Sequence, residues 1–171
     1  MEEVPGQSQH QIVTSAGNPL PIGGVLVLVA IGLVISLIQN VLSYVASLRA
    51  VLDSSIWETV TDPNSPAYHP YWKPALLYEA VTGPILIFLN AAALWFFFRK
   101  KRVFPKLVVI SIPLFFALML IGYYLSGFIP AIAESSNYAK QGHQLIVRFI
   151  AMHIWIPYFL VSDRVKKTFV R

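Results

Sequence analysis

Glu79 and Arg148 stand inside long apolar stretches of this sequence, where a charged group is expensive and therefore informative. At the centre of a bilayer either one costs at least about 2.5 kcal/mol even on the lenient insertion scale. Glu79 lies four residues into one stretch and Arg148 about five into another, roughly 6 and 7 Å of helical rise, so their depths match and the spacing predicts that they meet. Gln39, Asn40, Ser43 and Tyr44 on an earlier stretch, and Tyr123, Tyr124 and Ser126 on a later one, arrive at the same level. Two readings fit this constellation. One is an outward-facing polar cavity that binds a small ligand, ion or lipid head group, with Glu79 and Arg148 as its charges. The other is a hydrogen-bonded cluster that fixes helix register, or the interfacial belt where tyrosines and snorkelling charges gather. The structural reading is the more economical, because residues this near a helix end reach water.

Asn90 shares a helical face with Glu79 and Gly83 but lies deeper, where a lone amide most often hydrogen-bonds another helix. His153 sits near the middle of the last apolar stretch, and its unperturbed pKa near neutrality suits a proton relay. With no acid beside it on its own helix, a packing role outweighs the relay. Other chemistry is poorly represented. The chain has no cysteine, which excludes disulfides, thiolate metal sites and a cysteine nucleophile. His10, His69, His143 and His153 form no i, i+4 pair and no HExxH, so no metal site is expected. There is no GxSxG, P-loop or GxGxxG, and neither a cofactor nor enzymatic activity is expected.

The elements that must carry these residues follow from hydropathy. Of 171 residues, 56% are hydrophobic and 12% charged, about half the charge of a soluble domain, which excludes an ordinary cytosolic globule. Uncharged or nearly uncharged segments at about 22–47, 75–98, 107–133 and 143–161 are each long enough to cross a bilayer. The expected fold is an all-α integral membrane protein, four transmembrane helices in a bundle. Between the first two spans, 48–74 forms an outer loop rich in proline (Pro63, Pro66, Pro70, Pro74), with a short interfacial helix expected over Ser55 to Thr61. Residues 1–21 read as a flexible tail without the basic start of a signal peptide. Pro84, Pro113, Pro130 and Pro157 fall within the last three spans and predict packed kinks rather than open hinges.

Nine of the thirteen Lys and Arg lie in the Arg99–Lys106 loop and the 162–171 basic tail, against Arg49, Lys73 and Lys140 on the opposite flank. This asymmetry is a topology signal that puts both termini in the cytoplasm, and it accounts for the net charge of +5 without a nucleic-acid partner.

Three segments carry a family resemblance: IGGVLVLVAIGL at Ile22–Leu33, PALLYEAVTGPILIFLNAAALWFFFRKKRVFPKL at Pro74–Leu107, and IWIPYFLVSDRVKKTF at Ile154–Phe169. In these the chain resembles the YdgK-like domain-of-unknown-function family (DUF2569) of small bacterial inner-membrane proteins. It departs from the family pattern at Val25, where tryptophan often follows the paired glycines. The resemblance implies four membrane helices in a bacterial inner (cytoplasmic) membrane and carries over no catalytic residue. The expected function is therefore that of a non-enzymatic membrane protein. It would bind a small ligand, or associate with itself as a homodimer or with another envelope protein, through the outer polar cluster and small-residue faces at Gly23, Gly24 and Gly83. The alternative is a small oligomeric transporter or channel with Glu79 and Arg148 lining an outer vestibule.

Overall fold

The computed structural model describes residues 20–170. The helices are α1 (Val25–Leu52), α2 (Ser54–Thr61), α3 (Trp72–Phe98), α4 (Val103–Gly127), α5 (Pro130–Ala133), α6 (Ser136–Val161) and α7 (Asp163–Thr168), and no strand occurs among the described residues. The expected N-terminal tail lies almost entirely outside them. Helices α1, α3, α4 and α6 are long and apolar enough to cross a membrane, with 25 to 27 residues in each candidate span. That is about 38–40 Å of rise against a hydrocarbon layer of about 30 Å. Only 11–22% of each spanning window is buried within the chain, so most of its apolar surface is left for lipid. This is a multi-pass membrane protein.

Each spanning helix packs on the next, α1 on α3, α3 on α4 and α4 on α6. Asp53 ends α1 and caps α2, its carboxylate accepting from the Ser55 and Ile56 amides at 3.0 and 3.4 Å and from Ser55 Oγ at 2.6 Å. These bonds hold the exposed Asp53 carboxyl below its ordinary pKa. Pro74 falls in the first turn of α3, where the missing N–H has no helical partner to lose, so that helix starts three residues earlier than expected. The third apolar stretch divides in two. Ile129 is extended before Pro130, as a residue preceding proline prefers, and α4 stops at Gly127.

The last spanning helix begins at Ser136, not near residue 143, because the Ser135 hydroxyl caps it by accepting from the Tyr138 amide at 3.2 Å. Hydropathy passed over this first stretch because it is polar. Within the segment expected as a basic tail, Asp163–Thr168 form α7, started by Ser162, whose hydroxyl accepts from Val165 N–H at 3.4 Å.

Helix α7 closes one end of the bundle. Val165, Thr168 and Phe169 are buried, and Phe169 joins Phe97, Phe104 and Phe159 in an aromatic cluster with ring centroids 4.6–5.7 Å apart where they touch. Leu26, Val29, Ala93 and Val108 complete this core. It lies at the start of α1, the end of α3, the start of α4 and the end of α6, beside the basic turn Arg99–Arg102 that joins α3 to α4. Polar contacts tie the two described chain ends together there. The Leu20 amide donates to Lys167 O at 3.2 Å, Lys100 Nζ to Leu20 O at 3.0 Å, and Arg102 Nε to Val170 O at 2.7 Å. The Arg164 guanidinium rests on Gly23 and on Gly24, whose φ of +57° is one that side-chain-bearing residues rarely adopt.

Candidate functional site

At the opposite end the bundle is open. A cleft of about 700 Å³ is lined by all four spanning helices. Its walls repeat at helical spacing: Gln39, Ser43 and Ser47 with Asn40 and Tyr44 on α1; Tyr78, Glu79 and Thr82 on α3; Gly122, Tyr123 and Ser126 on α4; Gln141, Gln144 and Arg148 on α6. Intervals of three and four residues place each set on one helix face. Helices α1 and α6 do not pack along their length, so the space between them is not closed by helix contact. No residue of the 53–71 segment lines the cleft.

The walls are held by tyrosines seated on glycines of the neighbouring helix. Tyr44 of α1 fills the space over Gly83 of α3, and a Cβ at Gly83 would collide with its ring. Tyr78 of α3 reaches α4 and donates to Leu118 O at 2.7 Å. Between α4 and α6 the arrangement is reciprocal: Tyr123 covers Gly142, Tyr138 covers Gly127, and the two rings stack at 4.2 Å with planes 4° apart. Lipid is as apolar as the helices, so close packing and hydrogen bonds of this kind, not hydrophobic burial, drive association within the bilayer.

Gln39, Asn40, Glu79, Tyr123 and Arg148, singled out from the sequence, all line this one cleft. Glu79 and Arg148 do not pair as expected. Among the described residues the ion pair within 4.0 Å is Lys166 with Asp163, at 3.9 Å, and both are exposed. The two cleft charges stand on α3 and α6, which have α4 packed between them, so matching depth does not bring them into contact.

Asn90 and His153 lie outside the cleft. Asn90 is buried between α3 and α1, with Nδ2 donating to Leu33 O at 3.2 Å and Oδ1 accepting from Ser36 Oγ at 2.8 Å and the Leu37 amide at 3.2 Å. It is a register pin eleven residues, about 16 Å, further along the helix than Glu79. His153 is exposed on the outside of α6, its Nδ1 2.9 Å from Phe149 O and its ring against Phe149. Five residues beyond Arg148 means about 140° of rotation, which turns it away from the cleft.

Reading from sequence missed Tyr78, Thr82, Gln141 and Gln144. The signal available for the last two was their place at i, i+3 and i+7 with Arg148.

The family described as protein of unknown function (DUF2569) matches residues 19–170, the whole of the structure described above. The chain belongs to this family. Comparison with curated proteins and with solved structures gives no match. Membership assigns no chemistry to the cleft, which has to be interpreted from its own residues.

Proposed function

We propose that this is a non-enzymatic membrane protein that binds a small amphiphilic ligand in the polar cleft. The observation that carries the reading is the cleft itself, a cavity of drug-ligand size whose lining mixes amides, hydroxyls and one charge of each sign with Leu42, Leu86, Leu118, Met119 and Leu145. Such a lining offers hydrogen bonds to a head group and apolar contact to a chain.

The cleft stops short of the phenylalanine cluster at the basic end, and a dead end favours binding over passage. Self-association through the paired glycines and Gly83 has less support, since Arg164 and Tyr44 of the same chain occupy those faces. The basic residues around 99–106 and 164–167 favour an orientation with that end in the cytoplasm and the cleft facing outward. The resemblance noted in the sequence supports a bacterial inner membrane as its location.

The test is native mass spectrometry of the purified protein against Ser43→Trp, which puts an indole into the cleft from an exposed position on α1. Loss of co-purifying amphiphile from a monodisperse Ser43→Trp protein is expected. Equal retention by both would refute cleft binding.

A further inference from the structure

The two charges in the cleft specify the ligand's charge. Among the residues lining it, Glu79 and Arg148 carry the formal charges, one of each sign, and they stand on different walls without pairing. A purely anionic ligand that reached Arg148 would lie in the field of the Glu79 carboxylate. A purely cationic one at Glu79 would face the Arg148 guanidinium. In a site flanked by lipid these unlike and like interactions are screened less than in water.

We propose that the cleft binds a zwitterion, with its ammonium group at Glu79 and its phosphate or carboxylate at Arg148; this rests on the cleft-binding reading above. The amides of Gln39, Asn40, Gln141 and Gln144 line the same space and supply donors and acceptors to the polar atoms between the two charges. Arginine suits the anionic end because its planar fork pairs two oxygens at once. The same chemistry occurs in a phosphoethanolamine lipid head group and in a small soluble zwitterion. The sparse packing between α1 and α6 leaves a side path by which a lipid would reach the cleft from the membrane plane.

The experiment offers wild type, Glu79→Gln, Arg148→Gln and Ser43→Trp an equimolar mixture of phosphatidylethanolamine and phosphatidylglycerol in nanodiscs, and reads bound lipid by native mass spectrometry. A second arm adds free glycerophosphoethanolamine, whose phosphodiester keeps a single negative charge, as competitor. Wild type should retain phosphatidylethanolamine, or bind free glycerophosphoethanolamine, with a preference of about tenfold or more, the range of a hydrogen bond to a charged group. Competition by the free compound identifies a soluble source, and lipid retention without competition identifies the lipid.

Glu79→Gln should erase or invert the preference toward phosphatidylglycerol, while Arg148→Gln should weaken both lipids. A preference ratio within one sample is insensitive to the fraction of protein that folds. Absence of a zwitterion preference in wild type, or its survival in Glu79→Gln, overturns the proposal. If Ser43→Trp still abolishes binding in that case, the cleft-binding reading stands alone. If Ser43→Trp retains the ligand, both fall.

Discussion

Replacing Gly142 by alanine would place a Cβ 2.8 Å from the Tyr123 hydroxyl oxygen and 3.4 Å from the ring carbon that bears it. The first distance is too short for a real contact and the second is tolerable. Two terms of opposite sign therefore compete. Alanine in a helix interior is worth about 1 kcal/mol over glycine, and overpacking costs about 1–3 kcal/mol. In wild type the sum runs from neutral to about 2 kcal/mol destabilising. With Tyr123→Phe the offending oxygen is gone, the nearest remaining atom stands at 3.4 Å, and the alanine should stabilise by up to about 1 kcal/mol. The sign of Gly142→Ala is thus expected to reverse between the two backgrounds. Unfolding of the four proteins of this double-mutant cycle in mixed detergent micelles measures the coupling directly. Equal destabilisation by Gly142→Ala with and without the hydroxyl would refute the idea that Tyr123 seated on Gly142 sets the spacing of α4 and α6.

Three further outcomes are expected. Asn90→Ala should cost about 1–2 kcal/mol in the same assay, near the upper range for interhelical hydrogen bonds in membranes, and Ser36→Ala less, because Leu33 and Leu37 also bond Asn90. Lys100 holds a φ of +51° where α3 ends, its amide bonded to Phe97 O and that of Lys101 to Phe96 O, a turn that favours glycine. Lys100→Gly should therefore raise the melting temperature, its strain relief of about 1 kcal/mol outweighing the exposed bond to Leu20; a fall would show that the Leu20 contact matters more. Asp53 has a lowered pKa in the folded protein, so its capping contribution is present above the ordinary value of 3.8 and is lost as pH falls through the lower folded value. Amide exchange at Ser55 and Ile56, corrected for its intrinsic pH dependence, should rise across that window in wild type. In Asp53→Ala it should be high throughout.

The four spans were legible because an apolar stretch of about twenty residues with at most one charge has few other uses. So was the level at which Gln39, Asn40, Glu79, Tyr123 and Arg148 gather, since helical rise converts position into depth. Rotation and neighbour order were not legible from depth. Glu79 and Arg148 share a depth but stand on helices separated by α4, and His153 faces away from the cleft. The polar first turns of α6 escaped because hydropathy sees apolar length and misses a helix that begins at a serine cap and turns Gln141 and Gln144 to a polar cleft. Helix α7 escaped for a similar reason: Arg164, Lys166 and Lys167 dominate its composition, while the residues that dock it, Val165 and Phe169, are only four positions apart.

Phe97, Phe104, Phe159 and Phe169 interlock at the basic end, where Leu20, Val170, the basic turn after α3 and α7 converge and water-exposed surface makes aromatic burial favourable. At the cleft end that driving force is weak, and the walls are set by Tyr44 on Gly83, Tyr78 on Leu118 O, and the stacked Tyr123 and Tyr138. Each tyrosine spans one helix pair: α1 to α3, α3 to α4, or α4 to α6. None of these contacts joins α1 to α6. Three of the four wall junctions are thus held by contacts within the chain and the fourth is sparsely packed, an arrangement that on the proposed reading would lower the ordering cost of binding and leave a route into the cleft.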